Sequence, residues 1–434
     1  MSPAGKGHHG REEDLRWEGI RQQQKPKRDI DIVHKAVEVL ATRYYTGATG
    51  FVHGAGLWNV ANTLEALANY LIYTETPPAA HVEAERKFFR ERQALLGDTC
   101  DCPADAIDAQ LSLTAEGLSE DSATAAEMAI SLAGIGAHLF TEYNDDLLWW
   151  ALAHARMFEW TRAPRYLVAA ETIVNYTFEV AADSAVCGGG LWWKGAEDNN
   201  PPHAGKNAIE NELAIAAAAK LYRLTGTKAH LDRATGLWLW FQQVGMLNSS
   251  TQLINDGIDT NEKSANFCKN NEGLTWTYNQ GVILGGLIEL SQVTGNASLI
   301  GQACAIADAV ISRLTADGIL REPVPDGFVE DPHNHDAVQF KGIFVRYLGY
   351  LKSHINAGGC FGGRCGCTSD AVMRYEVFLF ANRASLLANA TDRSAAGGEL
   401  GPWTFTAVWT GPFNHSSALA QTSGLDLLNA AMAK

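Results

Sequence analysis

The chain has 434 residues, of which 46% are apolar and 19% charged, so it can bury a large core and is not a disordered protein. The formal net charge of −15 argues against a nucleic-acid-binding protein, because binding to phosphate backbones requires clustered lysine and arginine. There is no run of about 18 apolar residues, so the sequence predicts no membrane span. A neutral polymer remains compatible with this composition.

The sequence at the two ends of the chain bears on targeting. Residues 1–28 are basic and lack the apolar stretch of a secretion signal, and we expect a disordered or non-native tail there, followed by one domain over residues 29–434. Residues 425–434 lack the hydrophobic tail of a lipid-anchor signal. Eight cysteines and five N-x-S/T sequons nevertheless favour a secreted or cell-wall-associated protein. The sequons are at Asn175, Asn248, Asn296, Asn389 and Asn414.

Beyond the tail, apolar residues recur almost throughout at helical spacing. The predicted helices span residues 30–45, 57–74, 80–97, 145–161, 164–182, 206–224, 228–243, 272–293, 297–315, 335–356, 369–390 and 416–432. We interpret residues 98–140 as an insertion that contains a further helix near 122–138.

The helices alternate in character, and this alternation predicts two concentric layers. The segments at 145–161 and 272–293 are apolar on most faces, whereas those at 164–182 and 297–315 carry a single apolar stripe. A short repeat recurs roughly every 65–70 residues, as expected for stacked helical hairpins. Six hairpins predict an all-α (α/α)6 barrel. An open solenoid is the alternative, and packing of 416–432 beside 30–45 would favour closure. The repeat reads Trp160-Thr161-Arg162-Ala163-Pro164, Leu224-Thr225-Gly226-Thr227-Lys228 and Val293-Thr294-Gly295-Asn296-Ala297.

Two adjacent acids, Asp145 and Asp146, open one of the most apolar helices. One interpretation is a helix cap with a favourable first-turn charge. The other is a catalytic pair, because two acids at the entrance to a core are costly unless they are paired or used. Adjacent helical side chains lie roughly 5–6 Å apart at Cβ. That suits a retaining glycosidase, whose carboxyl groups are about 5–5.5 Å apart, better than an inverting one at about 6.5–9.5 Å. The spacing does not identify the nucleophile.

Amides and aromatic residues gather at the starts of the other predicted inner helices. Amides both donate and accept hydrogen bonds, which suits sugar hydroxyl groups, and flat rings suit the apolar faces of sugars. The structural alternative is that each amide is a helix cap and each ring part of the core. The candidates are Trp58, Asn144, Asn207, Asn211, Tyr278, Asn279, Gln280 and Lys341.

The cysteines favour disulfides over a metal site. Cys100 and Cys102, like Cys365 and Cys367, have C-x-C spacing and lack the C-x₂₋₄-C pairs and histidine partners of common zinc sites. The connectivity cannot be read from the sequence.

Taken together, these residues resemble glycoside hydrolase family 76, the endo-α-1,6-mannanases, over about residues 30–430. The order and spacing of the short matching stretches make the resemblance specific. These stretches are Tyr143-Asn144-Asp145-Asp146 with Trp149-Trp150, Cys187-Gly188-Gly189-Gly190-Leu191-Trp192-Trp193-Lys194, Lys206-Asn207-Ala208-Ile209 with Asn211-Glu212-Leu213, Asp256-Gly257, Thr277-Tyr278-Asn279-Gln280-Gly281, and Gln339-Phe340-Lys341-Gly342 with Arg346-Tyr347-Leu348.

The resemblance implies an (α/α)6 barrel without metal or cofactor that hydrolyses α-1,6-mannan backbones or mannoprotein glycans with retention. It implies that Asp145 is the nucleophile and Asp146 the general acid/base. We expect a monomer. The implied substrate contacts are Asn207, Asn211, Tyr278, Asn279, Gln280 and Lys341, with Trp192 and Trp193 near the cleft.

The sequence departs from the family in two ways. Residues 98–140 are longer than expected and would reshape one end of the cleft. A fungal branch of the family transfers anchored proteins to wall glycans and carries a C-terminal lipid-anchor signal. Residues 425–434 of this sequence lack such a signal. Hydrolysis is therefore favoured over transglycosylation onto cell-wall mannan or GPI-glycan acceptors, and a non-catalytic mannan-binding protein is a third possibility.

Overall fold

The computed structural model describes residues 25–46, 51–52, 54–77, 80, 84, 120–136, 141–195, 205–331, 336–360, 365–392 and 403–434. Within these ranges, twelve long helices dominate the fold. They are α1 (Lys25–Val39), α2 (Leu57–Tyr73), α3 (Glu120–Gly136), α4 (Asn144–Thr161), α5 (Pro164–Ala181), α6 (Ala208–Thr225), α7 (Lys228–Gln243), α8 (Thr277–Thr294), α9 (Ser298–Arg313), α10 (Ala337–His354), α11 (Ala371–Asn389) and α12 (Ala418–Met432).

Short ribbons decorate the loops between these helices. The strands are β1 (Tyr45–Thr46), β2 (Phe51–Val52), β3 (Lys206–Asn207), β4 (Leu247–Asn248), β5 (Leu253–Ile254), β6 (Gly257–Ile258), β7 (Thr315–Ala316) and β8 (Ile319–Leu320). They pair antiparallel as β1–β2, β3–β6, β4–β5 and β7–β8. The β3–β6 pair matters for the site because it lies directly before α6.

The even-numbered helices form a closed inner ring. Each packs against the next, and α12 packs against α2 to complete the circle. The odd-numbered helices form the outer layer, each packed against an inner neighbour along one face. Helix α12 also packs against α1, which is the contact that the sequence analysis named as the sign of closure. The predicted (α/α)6 barrel is therefore confirmed.

The repeated turn has the same geometry at all three places. Arg162, Gly226 and Gly295 adopt left-handed φ values of 60°, 73° and 71°, and each N–H donates to a carbonyl in the last turn of an inner helix. A threonine precedes each of them, and its hydroxyl group donates to a carbonyl four residues earlier. The weak repeat of the sequence is thus a left-handed C-cap that turns each inner helix into an outer one.

Glycines allow the inner helices to approach closely. A Cβ atom at Gly281 of α8 would lie 2.6 Å from the Cα of Phe344 in α10. A Cβ atom at Gly342 would lie 2.6 Å from the Cα of Ser423 in α12. The small residues predicted for the inner layer therefore serve backbone contact around the ring.

Several boundaries differ from the predictions. Helix α1 begins at Lys25, within the stretch predicted as a tail, and residues 1–24 lie outside the described part. Lys206 and Asn207 form a strand and not the start of a helix, because they pair with Ile258 and Gly257. The helix that the sequence placed near 122–138 is α3, which packs against α2 as an outer helix of the barrel. The predicted helix 80–97 lies outside the described residues except for positions 80 and 84. The single-domain organisation with an insertion stays a prediction.

Three disulfides join described residues: Cys187–Cys268, Cys304–Cys367 and Cys360–Cys365. The first crosses 81 residues and ties the loop before β3 to the loop before α8. Within the described ranges, no helix is long and apolar enough to cross a membrane.

Candidate active site

The first turns of the inner helices converge at one end of the barrel. Because each outer helix returns the chain to its starting side, all six inner helices run in the same direction. Asn59 of α2 donates to Gln339 of α10 at 2.9 Å, and the indole of Trp58 donates to Asp336 at 3.2 Å. Polar side chains at these ends therefore connect α2 and α10, which are separated by α12 in the ring.

Asp145 and Asp146 stand in the first turn of α4 at this end, and both are half-buried. Hydrogen bonding by the Trp193 indole and by backbone N–H groups of the helix start opposes the rise in the pKa of Asp145, whereas its buried Oδ1 atom has no hydrogen-bond partner among the described residues. Asp146 accepts from the Thr141 hydroxyl group at 3.3 Å. No lysine or arginine of the described residues forms an ion pair with either acid. The two carboxyl groups thus meet hydrogen-bond donors but no compensating cation.

Burial governs the protonation of this pair. Burial, and after it the charge of Asp146, raises the pKa of Asp145 well above its usual range. Burial raises the pKa of Asp146 too, with a smaller contribution from Asp336. Two close carboxyl groups that both resist ionisation retain a proton between them to higher pH than isolated acids do. The pair can therefore supply one proton donor and one carboxylate near neutral pH.

Aromatic rings flank the pair on both sides. Trp193 packs against Tyr143 at a ring-centroid distance of 4.9 Å, beside Asp145. On the other side, Tyr278 stacks on Phe340 at 3.9 Å, and Trp58 lies 6.0 Å from the same ring. Trp193, Tyr278 and Trp58 are all half-buried, so parts of their surfaces remain accessible. They provide flat apolar surfaces next to the two acids.

Further acids surround Asp145 and extend the site. Burial raises the pKa values of Glu210 and Tyr278, and the charges of Asp145 and Asp256 raise both further. Asp256 follows β5, and its carbonyl accepts from the Ala208 N–H at the start of α6 at 2.7 Å. Burial raises the pKa of Asp256. This end of the barrel is therefore rich in carboxyl groups that lack a described cationic partner.

Three predicted contacts form the framework around the pair. Asn144 is buried and donates to the Trp192 carbonyl at 2.8 Å. Asn211 is buried and accepts from the Leu191 N–H at 2.8 Å. Asn207 caps α6 in a reciprocal arrangement with Glu210. Their polar groups are engaged with the protein, so direct contact with a substrate stays a prediction.

Four other predicted contacts are buried behind the pair or away from it. The amide of Gln280 bonds both the N–H and the carbonyl of Ile254 at 2.8 Å. Lys341, in the second turn of α10, is buried and donates to the Ala407 carbonyl at 2.7 Å. Trp192 turns away from the acids and donates to Asp183. Asn279 is buried beside Asp256, whose pKa its amide holds down against burial. The structure thus brings Tyr278, Trp193 and Trp58 to the acid pair and not Lys341, Gln280 or Trp192.

The sequence analysis assigned no role to several residues that the fold places here. Asp256 lies in an Asn-Asp-Gly turn, and Asp336 follows a loop, so neither stood out from ordinary solvated acids. Lys206 precedes an inner helix, where a lysine would ordinarily be exposed. Asp256 could have been found from the sequence, because Asp256-Gly257 is one of the short stretches on which the family resemblance rests.

Metal-ligand geometry among the described residues arises at one cluster, formed by Cys360, Cys365 and Cys367. Their sulfur atoms are engaged in disulfides, which leaves no thiolate for zinc. The cluster lies after α10, at the other end of the inner helices from the acid pair.

Comparison with known proteins places this geometry in a family. The sequence model of glycosyl hydrolase family 76 matches residues 134–357, which include the acid pair, Trp193, Tyr278 and α10. The mannan endo-1,6-alpha-mannosidase DCW1 of Candida glabrata is 30% identical over 217 residues, which are 48% of this chain and 46% of that protein. DFG5 of Candida albicans, named as the same kind of enzyme, is likewise 30% identical over 217 residues, with the same coverage. The chain spans about half the length of the curated relatives it matches.

Solved structures share the fold over almost the whole chain. An inactive variant of the α-1,6-mannanase GH76A of Salegentibacter sp. HEL1_6, in complex with α-1,6-mannotriose, has a TM-score of 0.67 at 20% identity, covering 93% of this chain and 99% of that one. Dfg5 of Chaetomium thermophilum, in complex with glucosamine, has a TM-score of 0.65 at 16% identity, covering 94% and 91%. At these identities the structures demonstrate the shared helical barrel. With a family match over more than half of its length, this chain belongs to glycosyl hydrolase family 76.

Proposed function

We propose that this protein is a retaining glycosidase that cleaves α-1,6-mannosidic bonds within mannan backbones. The observation that carries the proposal is the adjacent pair Asp145 and Asp146, half-buried and without a described cationic partner, at the end of the barrel where aromatic rings gather. The names of its sequence relatives support this substrate class. The alternative interpretation, a helix cap, would require only one acid and would not explain the further acids near the pair.

In the first step, the ionised Asp145 carboxylate attacks the anomeric carbon while protonated Asp146 gives its proton to the glycosidic oxygen. The C–O bond to the leaving sugar breaks and a glycosyl ester forms on Asp145. In the second step, Asp146, now a carboxylate, takes a proton from water as the water oxygen attacks the same carbon. The ester bond breaks, the mannan fragment leaves with the original anomeric configuration at its new reducing end, and both acids return to their starting states.

The donors around each acid support these roles. Asp145 receives the Trp193 indole N–H and backbone N–H groups, which stabilise a carboxylate, whereas Asp146 receives one hydroxyl group. The rise in pKa is nevertheless greater at Asp145, which by itself would place the shared proton there. In the reaction, the developing positive charge of the sugar ring favours an ionised Asp145, so that the shared proton resides on Asp146. Labelling with a fluorinated mannosyl inactivator tests the assignment, because it esterifies the nucleophile and peptide mapping identifies it.

Aromatic surfaces on both sides of the pair support internal cleavage of a chain. Trp193 and Tyr143 lie beside Asp145, and Trp58, Phe340 and Tyr278 lie on the side of Asp336. Sugar rings on either side of the cleaved bond would stack on these two groups. We therefore propose endo-acting cleavage, for which the products from unbranched mannan are oligosaccharides of several lengths from the earliest time points.

The deciding experiment incubates the wild-type protein with unbranched α-1,6-mannan and follows oligosaccharide release, with Asp145→Asn and Asp146→Asn as matched variants. Release by wild type alone is the expected result. Products longer than a short mannoside donor would instead identify a transglycosidase, which shares the glycosyl-ester step. Saturable binding of mannan without any product would identify a mannan-binding protein.

We also propose that the protein is a secreted glycoprotein that acts on mannan or mannoprotein glycans outside the cell. Four sequon asparagines are exposed and Asn248 is half-buried, all outside the inner ring. The described cysteines are all paired in disulfides, as expected for an oxidising compartment. Removal of N-glycans from protein made in a fungal host should increase its mobility on a gel. The exposed asparagines are Asn175, Asn296, Asn389 and Asn414.

We expect the protein to be a monomer, which elution from a sizing column would test.

A further inference from the structure

The turn between α5 and α6 is built around one buried ammonium group. Lys206 is fully buried, and its Nζ donates to the carbonyls of Asp183, Val186 and Gly189 at 2.8, 2.8 and 2.6 Å. These three acceptors use all three N–H donors of the ammonium group. A carboxylate oxygen of Asp183 lies at 3.4 Å and supplies the counter-charge. A buried charge is tolerated only with such partners, so the ammonium group and the shape of the turn depend on each other.

The backbone of this turn is unusual enough to need that support. Four consecutive residues, Cys187 to Gly190, have positive φ values of 60°, 71°, 158° and 89°. The ring of Trp240 covers the glycines so closely that a Cβ atom on Gly190 would lie 2.4 Å from it. The same indole donates to the Cys187 carbonyl at 2.9 Å. Glycines with positive φ allow the carbonyls to point inward, where Lys206 collects them.

The turn leads directly to the acid pair. Two residues after Leu191, the Trp193 carbonyl accepts from the backbone N–H of Asn144 at 2.9 Å, next to Asp145. The Asn144 side chain bonds the Trp192 carbonyl at 2.8 Å. The bridge between Tyr143 and Lys194 and the packing of the Trp193 ring on Tyr143 at 4.9 Å place the Trp193 indole beside Asp145, whose pKa its hydrogen bonding lowers against burial. A continuous set of contacts therefore connects the Lys206 ammonium group to Asp145, although Lys206 does not itself touch either acid.

We propose that Lys206 is a positioning residue for the reaction: its ammonium group holds the turn 183–190, and the turn places the Trp193 indole against the Asp145 carboxyl group. This inference rests on the proposed role of the acid pair. A side chain at position 206 without the ammonium group should leave Asp145 in place and remove its indole donor. Catalysis should then weaken even though every residue that touches the substrate is unchanged.

The test compares Lys206→Met, which keeps the length of the side chain, with Lys220→Met, which changes a partly buried lysine of α6 at the opposite end of the barrel. On α-1,6-mannan, kcat of Lys206→Met should fall on the order of 10²-fold with KM little changed. The acidic limb of its pH profile should move to higher pH, because the Trp193 hydrogen bond lowers the pKa of Asp145. Lys220→Met should keep the wild-type pH profile.

Two further variants separate positioning from general damage. Trp193→Phe should reproduce the shift of the acidic limb, and the double variant with Lys206→Met should shift no further than either single one. Lys206→Ala should regain activity with ethylammonium, which has three N–H donors, and not with tetramethylammonium, which has none. A wild-type kcat and pH profile for Lys206→Met, or no shift for Trp193→Phe, would overturn the proposal. If the Lys206 variants do not fold, Trp240→Phe removes one hydrogen bond of the same turn and carries the same expectation.

A readout without turnover keeps this proposal distinct from the proposed function. The Trp193 indole N–H resonance, assigned by its loss in Trp193→Phe, should titrate with Asp145 in the wild type and lose that dependence in Lys206→Met. If the wild type cleaves no mannan but this change occurs, the activity is wrong and the positioning role stands. If mannan is cleaved and the resonance is the same in both proteins, the positioning role is wrong.

Discussion

The two ends of the barrel treat carboxyl groups in opposite ways. Where the inner helices end, Glu159 contacts Arg156, Lys220 and Arg223, and these cations hold the pKa of Glu159 well below its usual range despite burial. Where the inner helices begin, Asp145 and Asp146 have no such described partner, and burial raises the pKa of both. The closed ring thus separates a charge-matched end from an acid-rich end.

Helix dipoles explain part of this division. The amino-terminal ends of six parallel helices carry partial positive charge, which favours acids, and the carboxy-terminal ends favour cations. At the matched end the cations line a cavity of about 520 Å³ together with their glutamate partners. At the other end the dipoles are outweighed by burial, since the pKa values of the acids still rise. Paired charges at the matched end contribute to stability. Unpaired acids at the acid-rich end can support chemistry, at a cost in stability.

The largest expected effect is on activity at the acid-rich end. Asp146→Asn removes the proton donor and should lower kcat/KM on mannan by about 10²- to 10⁴-fold. Glu159→Gln removes an acid of the matched end and should leave the activity per folded molecule near that of the wild type. Initial rates on unbranched α-1,6-mannan measure both. Comparable losses in the two variants would abolish the functional distinction between the ends.

The second effect is on stability and has the opposite order. Glu159→Gln removes the carboxylate that pairs with Arg156 and leaves Lys220 and Arg223 with Glu289 alone. It should lower the free energy of unfolding by about 3–5 kcal/mol, as expected for a broken buried network. Asp146→Asn removes an acid that resists ionisation and should leave the protein equally stable or more stable. Urea unfolding at pH 7 measures both. Greater destabilisation by Asp146→Asn than by Glu159→Gln would contradict the comparison.

The pH dependence of stability should also differ in sign. The pKa of Asp146 is raised by folding, so from about pH 4 upward the folded state binds more protons than the unfolded one and stability falls as the pH rises. The pKa of Glu159 is lowered, so its contribution is present above about pH 4 and is lost as the pH falls further. Urea midpoints from pH 3 to 8 should therefore show a shallower decline above pH 4 for Asp146→Asn. For Glu159→Gln, the urea midpoint should fall less than that of the wild type as the pH is lowered below 4.

The smallest effect concerns an exposed ion pair at the rim of the matched end. Lys434 lies 3.2 Å from Glu75, and both side chains are mostly exposed, at 87% and 80%. Solvent screening limits such a pair to about 0.5 kcal/mol, so Lys434→Ala should shift the urea midpoint barely at all. A loss as large as that of Glu159→Gln would mean that burial is not what distinguishes the matched network.

Local sequence predicted most of the described helices and the ring they form. The alternation of apolar and striped segments, and the Thr-Gly and Thr-Arg turns, specify each hairpin because they act over a few residues. The same holds for the acid pair, since adjacency along one helix guarantees that Asp145 and Asp146 stay together. The boundary at Lys206 was wrong because its strand depends on Ile258, about 50 positions later, and no local pattern announces that partner.

The partners of each side chain were decided by closure of the ring. Lys341 and Gln280 resemble site residues in the sequence, yet packing against Ala407 and Ile254 buries their polar groups in the framework. Asp256, Asp336 and Lys206 look like ordinary surface charges, yet the fold brings the two acids close to Asp145 and Asp146 and wraps a turn around the lysine. Spacing along a helix predicts which residues share a face. Burial and pairing arise between helices, so only the assembled barrel determines which polar group stays open to a substrate.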